Sequence, residues 1–364
     1  TYPADMVVGT VNGTDVTWME YYYWLRNFVS VSTQVAQLFG ADVESWDSAE
    51  LYELYQMAYQ YGLLSLDPTL LSADDTNAEV VTKLAQESIA QDHAILTGVA
   101  DMGVTLTEED EAQIQEVLEQ NADSVSGDGD GAATQEELDA FAEYLATEMS
   151  VDEDFFRQFI SVDVLGQQGF VAASGEMGAD LSDEEALAFA AENGLMAAKH
   201  ILILTVDADT REPLPEEQIP EKLAAAEALN EQLQAVKDDQ EAMIALFDQL
   251  MAENTEDTGY ASYPDGYVFS AGEMVQEFED AVRSLDENYG LSEIVESPYG
   301  YHIILRIPVD PDAVVGTDAN GNDVTLRYAA ASQLFNDQVQ SWIENADAQW
   351  NEEFQAPDLA AIFG

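Results

Sequence analysis

The spacing of apolar residues changes character near Gly194 and changes back beyond Pro308, and these two switches limit the folds open to the chain. Before the first switch the pattern is helical. Met6 to Thr17 places apolar residues on both sides of Asn12-Gly13, the strongest short-range hairpin signal, so a small hairpin is expected there. Immediately after it, Trp18 to Phe39 carries Tyr22, Leu25, Phe28 and Val29 at helical spacing, and Thr17 with Glu20 resembles a capping box. Helices are predicted over 47–61, 76–101, 107–121, 134–147 and 151–173, with starts at Asp74, Thr107, Thr134 and Ser150 and acidic first turns that suit the helix dipole.

After Gly194 the run Lys199 to Val206 is short, apolar and rich in β-branched residues, and reads as a buried strand. A proline-containing loop leads to one long helical stretch over 221–254. A turn-rich segment at 259–266, a strand at Tyr267–Phe269, a helix at Met274–Leu285 and strands at 294–296 and 301–307 complete a compact α+β unit. Beyond Pro308, Asn320-Gly321 echoes the first turn and a helix over 327–347 presents Leu334, Phe335, Val339, Trp342 and Ile343 on one face. A lone amphipathic helix needs a surface on which to bury its stripe. The predicted fold is therefore α+β: a mainly helical body from 1–192, into which a domain at 193–308 with a small antiparallel sheet packed with helices is inserted, and a segment at 309–364 that packs back on the helical body.

Ten basic residues against seventy-three acidic ones give a net charge of −63. A nucleic-acid backbone would be repelled over almost every face, and so would anionic lipid headgroups. With 47% hydrophobic and 10% aromatic residues the chain is nonetheless too apolar for a disordered acidic tail, so the charge coats folded domains. There is no cysteine, which excludes disulfides, thiolate metal sites and a cysteine nucleophile. No apolar run approaches the roughly 18 residues that a spanning helix needs. The chain starts at Thr1 as a mature or trimmed protein would, and the expectation is an extracytoplasmic protein, at the cell surface or secreted, with any signal peptide or lipid-accepting residue upstream of Thr1.

Four stretches in the middle of the chain form an ordered pattern: Lys199-His200-Ile201-Leu202-Ile203, Thr255-Glu256-Asp257, Gly272-Glu273-Met274-Val275-Gln276-Glu277-Phe278-Glu279-Asp280-Ala281 and Gly300-Tyr301-His302-Ile303-Ile304-Leu305. With these at these separations, residues 195–308 resemble a parvulin-type peptidyl-prolyl isomerase domain, and the whole chain resembles extracytoplasmic foldases of the PrsA and SurA kind. The resemblance implies an isomerase, or rotamase, acting on unfolded or nascent secreted polypeptides that contain X-Pro, with no cofactor. It implies that His200 and His302 are the histidines facing each other across the catalytic site, and that Asp257 stands where the family has Cys or Asp. Met274 and Phe278 would receive the proline ring, with Phe269 and Tyr299 as further walls. Two stretches depart from the family. Tyr263-Pro264-Asp265-Gly266-Tyr267 replaces a Gly-Gly-Asp-Leu-Gly loop, and Asp207 and Asp209 stand before Arg211 where phosphate-directed parvulins carry a basic cluster.

The residue types suit the chemistry. Rotating an X-Pro bond breaks amide resonance against a barrier of about 18–20 kcal/mol without making or breaking a covalent bond. A dry apolar pocket that grips the ring and favours the twisted imide lowers that barrier. Met274 and Phe278, at i and i+4, can line such a pocket from one helix face. Paired imidazoles can orient its polar floor, and Asp257 near the carbonyl would disfavour the planar, charge-separated form. Outside this motif, a strand histidine is ordinarily a satisfied core residue, Met and Phe at i and i+4 are ordinarily helix core, and His93 reads as structural or exposed. The alternative function is a non-catalytic peptide-binding holdase or assembly scaffold, which the altered glycine loop favours. Residues 126–137 place Ser126, Asp128, Asp130 and Glu137 at positions 1, 3, 5 and 12 of a calcium loop with Gly131 at position 6. The competing reading is an acidic linker ending in an N-cap at Thr134.

Overall fold

The computed structural model describes residues 2–43, 45–63, 68–126 and 133–363. The chain opens with strands β1 (Val7–Val11) and β2 (Thr14–Thr17) and helices α1 (Trp18–Leu38), α2 (Glu50–Gln60), α3 (Asn77–Asp101), α4 (Glu108–Ser126), α5 (Gln135–Tyr144) and α6 (Glu153–Ser174). There follow α7 (Asp183–Glu192), β3 (Met196–Leu204), α8 (Ile219–Gln234), α9 (Gln240–Asn254), β4 (Tyr267–Phe269), α10 (Gln276–Ser284), β5 (Val295–Ser297) and β6 (Gly300–Ile307). The chain then forms β7 (Val314–Thr317), β8 (Asp323–Thr325), α11 (Leu326–Glu344), β9 (Ala348–Trp350) and short helices α12 (Glu352–Gln355) and α13 (Leu359–Phe363). The fold is α+β, mainly helical with small antiparallel sheets.

Two compact units result: Thr1–Ala173 together with Phe335–Gly364, and Ser174–Leu334. The second is inserted in sequence between the two segments of the first. Its boundaries fall outside the expected 192 and 308, so α7 and the β7–β8 hairpin travel with the inserted unit. Arg327 explains this grouping. Its guanidinium donates to the Leu181 carbonyl and pairs with Asp183 and Asp312, each 2.6 Å away, which ties the start of α11 to the start of α7.

In the first unit the Asn12-Gly13 turn adopts positive φ at both residues, 50° and 80°, as a tight hairpin requires. β9 pairs antiparallel with the other edge of β1, Gly9 facing Trp350. At three residues this strand is too short to announce itself by alternation. The Tyr21 hydroxyl and the Gln86 amide both donate to the Phe354 carbonyl, at 2.7 and 2.9 Å. Tyr2 meets Trp18 and Phe354 edge-on beside them, and Trp18 and Phe354 are tilted against each other. Of the expected α11 stripe Phe335 is buried, Val339, Trp342 and Ile343 are half-buried, and Leu334 is exposed: Phe335 packs edge-on against Phe170, and Trp342 covers Gly98 so closely that a Cβ there would lie 2.2 Å from the indole.

Three helix starts differ from the sequence reading, the first being α3, which is capped by Thr76 and not by Asp74, Thr76 Oγ1 accepting from the Glu79 N–H at 3.2 Å. Ser150 sits in the left-handed region at φ 61°, and Asp152 caps α6 instead by accepting from the Phe155 N–H at 2.8 Å. Thr17 accepts from the Glu20 N–H, but the Glu20 carboxylate does not close a capping box; it turns inward to meet His93 Nε2 at 2.9 Å. Both partners are buried, so His93 is structural.

Asp92 lies beside this pair. Burial, reinforced by the charges of Glu20 and Asp163 and opposed by His93, pushes its carboxyl up to about 7. A carboxyl raised in the folded state adds stability that is complete below its ordinary 3.8 and is lost as pH rises through about 7. Asp92→Asn is therefore expected to stabilise the first unit by about 1–3 kcal/mol above neutral pH and to make no difference once wild-type Asp92 is protonated. All five tryptophans lie in this unit, so tryptophan-monitored urea unfolding reads it selectively. A pH-independent difference would contradict the assignment.

In the inserted unit the sheet order is β4-β3-β6-β5, all antiparallel. β3 and β6 pair from Ala197–Ile307 to Leu204–Gly300. The odd-numbered face, with Ile201, Ile203, Tyr301, Ile303 and Leu305, is buried against α8 and α9 through Leu229, Leu233, Phe247 and Met251. The expected single helix over 221–254 is two, because Lys237-Asp238-Asp239 turns the chain and Asp239 caps the second by accepting from Ala242 N–H. The even-numbered face, with Met196, Ala198 and Ile304, packs on Phe269 and on Phe278 and Val282 of α10.

Candidate active site

Strand parity brings the two histidines together. His200 faces Ile304 and Leu202 faces His302 across the β3–β6 pair, so both imidazoles project from the even-numbered face on diagonal positions. Their Nδ1 atoms are 3.0 Å apart and the rings lie nearly parallel, 13° between planes. His200 Nε2 is 3.1 Å from Asp257 Oδ2, and His302 Nε2 is 2.7 Å from Ser297 Oγ.

Asp257 reaches this face because the segment before it is laced to β3. Leu202 N–H donates to Thr255 Oγ1, Glu256 N–H donates to the Leu202 carbonyl, and Leu204 N–H donates to the Glu256 carboxylate, which Lys222 pairs at 2.6 Å. Ser297 is delivered by β5, which pairs with β6 so that Val295 faces His302.

Donor and acceptor accounting fixes the tautomers when both rings are neutral. A carboxylate only accepts, so His200 carries its proton on Nε2 and accepts at Nδ1 from His302 Nδ1–H. His302 Nε2 then accepts from the Ser297 hydroxyl, whose oxygen accepts from Tyr299 N–H at 3.2 Å. The chain of bonds runs one way and ends on Asp257.

The electrostatics agree with that direction. Burial, helped by His200, holds His302 down at about 3 against the pull of Asp257. Burial alone would raise Asp257, but hydrogen bonds from His200 and Tyr267 outweigh it and bring the carboxyl to about 2. A single fixed negative charge thus lies beside two imidazoles.

Phe278 forms the apolar side. Its ring meets His200 at 5.2 Å and His302 at 5.7 Å, both close to edge-on, and is 3% exposed. Met274 is half-buried at the edge of the same cluster. The buried Glu279 carboxylate holds the turn that carries it, accepting from Gly272 N–H at 2.7 Å and Met274 N–H at 3.1 Å while pairing with Arg283. Phe269, expected as a wall, is instead core: it is 1% exposed and supports Phe278 from behind. Tyr299 is 41% exposed with the Arg211 guanidinium 5.6 Å over its ring, at the outer end of the polar chain.

Several residues escaped the sequence reading. Ser297 is one of many serines, and Glu279 one of seventy-three acids. Tyr267 donates to Asp257 Oδ2 at 2.5 Å. The only sign of it was the loop's departure from the glycine pattern. Of the candidate calcium loop, 127–132 with Asp128 and Asp130 lie outside the described residues. Glu137, at its far end, closes a capping box with Thr134. Among the described residues no cluster of acidic or histidine side chains has the arrangement of a metal site.

Residues 200–307 match the family described as Rotamase: PPIC-type PPIASE domain. Foldase protein PrsA 1 of Bacillus cereus is 33% identical over 123 residues, 32% of this chain and 40% of that protein. Foldase protein PrsA of Halalkalibacterium halodurans is 27% identical over 239 residues, 64% of this chain and 63% of that protein. The chain thus spans less than two thirds of the length of either relative. Among solved structures, peptidylprolyl isomerase (PrsA) from Bacillus cereus is 18% identical, with 77% of this chain and 92% of that one covered at a TM-score of 0.28.

His302 is expected to remain neutral, protonated on Nδ1, from pH 5 to 9 in a nitrogen-15 titration, about two units or more above its own midpoint. Because its folded value is depressed, its contribution to stability is complete above 6.5 and declines as pH falls toward about 3. Ser297→Ala leaves the buried Nε2 without a donor and is expected to cost about 1–3 kcal/mol, read by hydrogen exchange of the β3 and β6 amides. Unchanged protection would refute the role given to Ser297.

Proposed function

We propose, taking residues 200–307 as a rotamase domain of the PPIC type, that this chain is a peptidyl-prolyl cis-trans isomerase and foldase acting outside the cytoplasm on unfolded secreted polypeptides that contain X-Pro. The observation that carries this reading is the bonded series Ser297–His302–His200–Asp257 beside the Phe278 ring. The proline ring would rest on the half-buried Met274, with the buried Phe278 backing it, and the carbonyl of the residue before it would face the fixed charge of Asp257. That charge disfavours the planar form, in which the carbonyl oxygen gains negative charge, more than the twisted form, in which it does not. The imidazole pair stays in place, since no proton transfer is needed to rotate the bond.

The names of the two foldase relatives support a role in folding other proteins. The chain's own acidity argues against nucleic acid as a partner on electrostatic grounds. No helix among the described residues is long and apolar enough to cross a membrane, and tethering through a lipid-bearing residue upstream of Thr1 belongs to the proposal. No cofactor has a part in it. Calcium at 126–137 would be an addition, which a calorimetric titration showing no heat would remove.

The test is an isomerisation assay on an X-Pro tetrapeptide. Acceleration is expected, with a loss of about tenfold or more on His302→Ala and on Asp257→Ala. No acceleration, together with suppressed aggregation of an unfolded client, would favour the non-catalytic holdase.

A further inference from the structure

We propose that Tyr267 is a positioning residue of this site, fixing the Asp257 carboxylate in the orientation that serves His200, and that Gly259 is what lets it reach. The inference rests on the isomerase reading above. Asp257 Oδ2 accepts from both His200 Nε2 and the Tyr267 hydroxyl, while Oδ1 accepts from Gly259 N–H at 3.1 Å. Without the phenol, Oδ2 would be held by the imidazole alone and the carboxylate would be freer to rotate. With it, three donors from three stretches of chain clamp the group.

The phenol is itself well fixed. Tyr267 pairs with Ala198 in β4, and its ring stands edge-on to His200 at 5.7 Å and rests against Tyr263 at 5.1 Å. Gly266 before it takes φ 104°, where a side chain is strained and where a Cβ would lie 2.9 Å from the Ala198 carbonyl. The independent observation is at Gly259. A Cβ built there would lie 2.1 Å from the Tyr267 hydroxyl oxygen, so the bond to Asp257 can form only because residue 259 has no side chain. Burial, together with the hydrogen bond to Asp257 and its charge, raises the phenol's pKa, so the hydroxyl remains a donor at neutral pH.

The experiment uses the full chain with Tyr267→Phe, which keeps the ring and removes the donor. A carbon-13 titration of Asp257 is expected to move up by about one to two pH units, and the acid limb of kcat/KM to move with it, with the loss in kcat and not in KM. Gly259→Ala keeps the phenol but denies it access, and should reproduce the shift. In the Tyr267→Phe background Gly259→Ala should add little, since the colliding oxygen is gone. An Asp257 titration and acid limb unchanged in Tyr267→Phe would overturn the proposal, as would independent, additive effects of the two substitutions. If the wild type fails to turn over X-Pro peptides, the isomerase reading falls, and the Asp257 titration still decides whether Tyr267 holds it.

Discussion

Leu202 opposite His302 and His200 opposite Ile304 is the pairing on which the inserted unit depends. With side chains alternating at a period of two, this register sends the apolar odd-numbered residues into α8 and α9 and both imidazoles to the other face. A slip of one residue would exchange the faces, turning the histidines toward Leu229 and Leu233 and turning Ile201 and Ile303 toward α10. Hydrophobic burial on one side of the sheet therefore enforces the geometry of the chemistry on the other. The outer strands then contribute one polar partner each: β5 brings Ser297 and β4 brings Tyr267.

How much of this could be read from the sequence followed the range of the forces involved. Some local signals held, namely the Asn12-Gly13 turn, the helix start at Thr134 and the apolar, β-branched run around His200, while the capping box at Thr17 and the starts at Asp74 and Ser150 did not. The meeting of His200, His302 and Asp257 was legible only through resemblance, because nothing local relates residues 57 and 102 positions apart. Ser297, Glu279 and Tyr267 act through single hydrogen bonds made by the tertiary fold, and residue type alone does not distinguish them from their many copies. Phe269 misled for a related reason, since an aromatic residue in a short strand looks the same whether it lines a pocket or backs one. The short β9 strand carries no periodic signal; its partner strand creates it.

Cations are scarce here, and their placement is informative. Only Arg26, Lys83 and Arg157 of the ten basic residues fall in the first unit; the other seven lie in the inserted one. Several of these secure backbone as well as charge. Arg306 donates to the carbonyls of Val282 and Leu285 at the end of α10, where a positive group suits the helix dipole, and Arg327 holds the Leu181 carbonyl. The inserted unit is thus stitched by a few arginines, whereas the first relies on its aromatic core and must accommodate carboxylates such as Asp92 that burial disfavours.

The first unit is also discontinuous, and that has a bearing on how the protein comes into being. β1 emerges early from a ribosome or translocation channel, while β9, which covers its open edge, follows only after the entire 174–334 segment. Until then β1 presents unpaired amides on one side, the kind of edge to which stray strands add. The inserted unit has no such wait, being contiguous in sequence. Vectorial synthesis therefore orders assembly: the inserted unit can mature while the helical body is still half-made and exposed, and β9 then closes the free edge of β1.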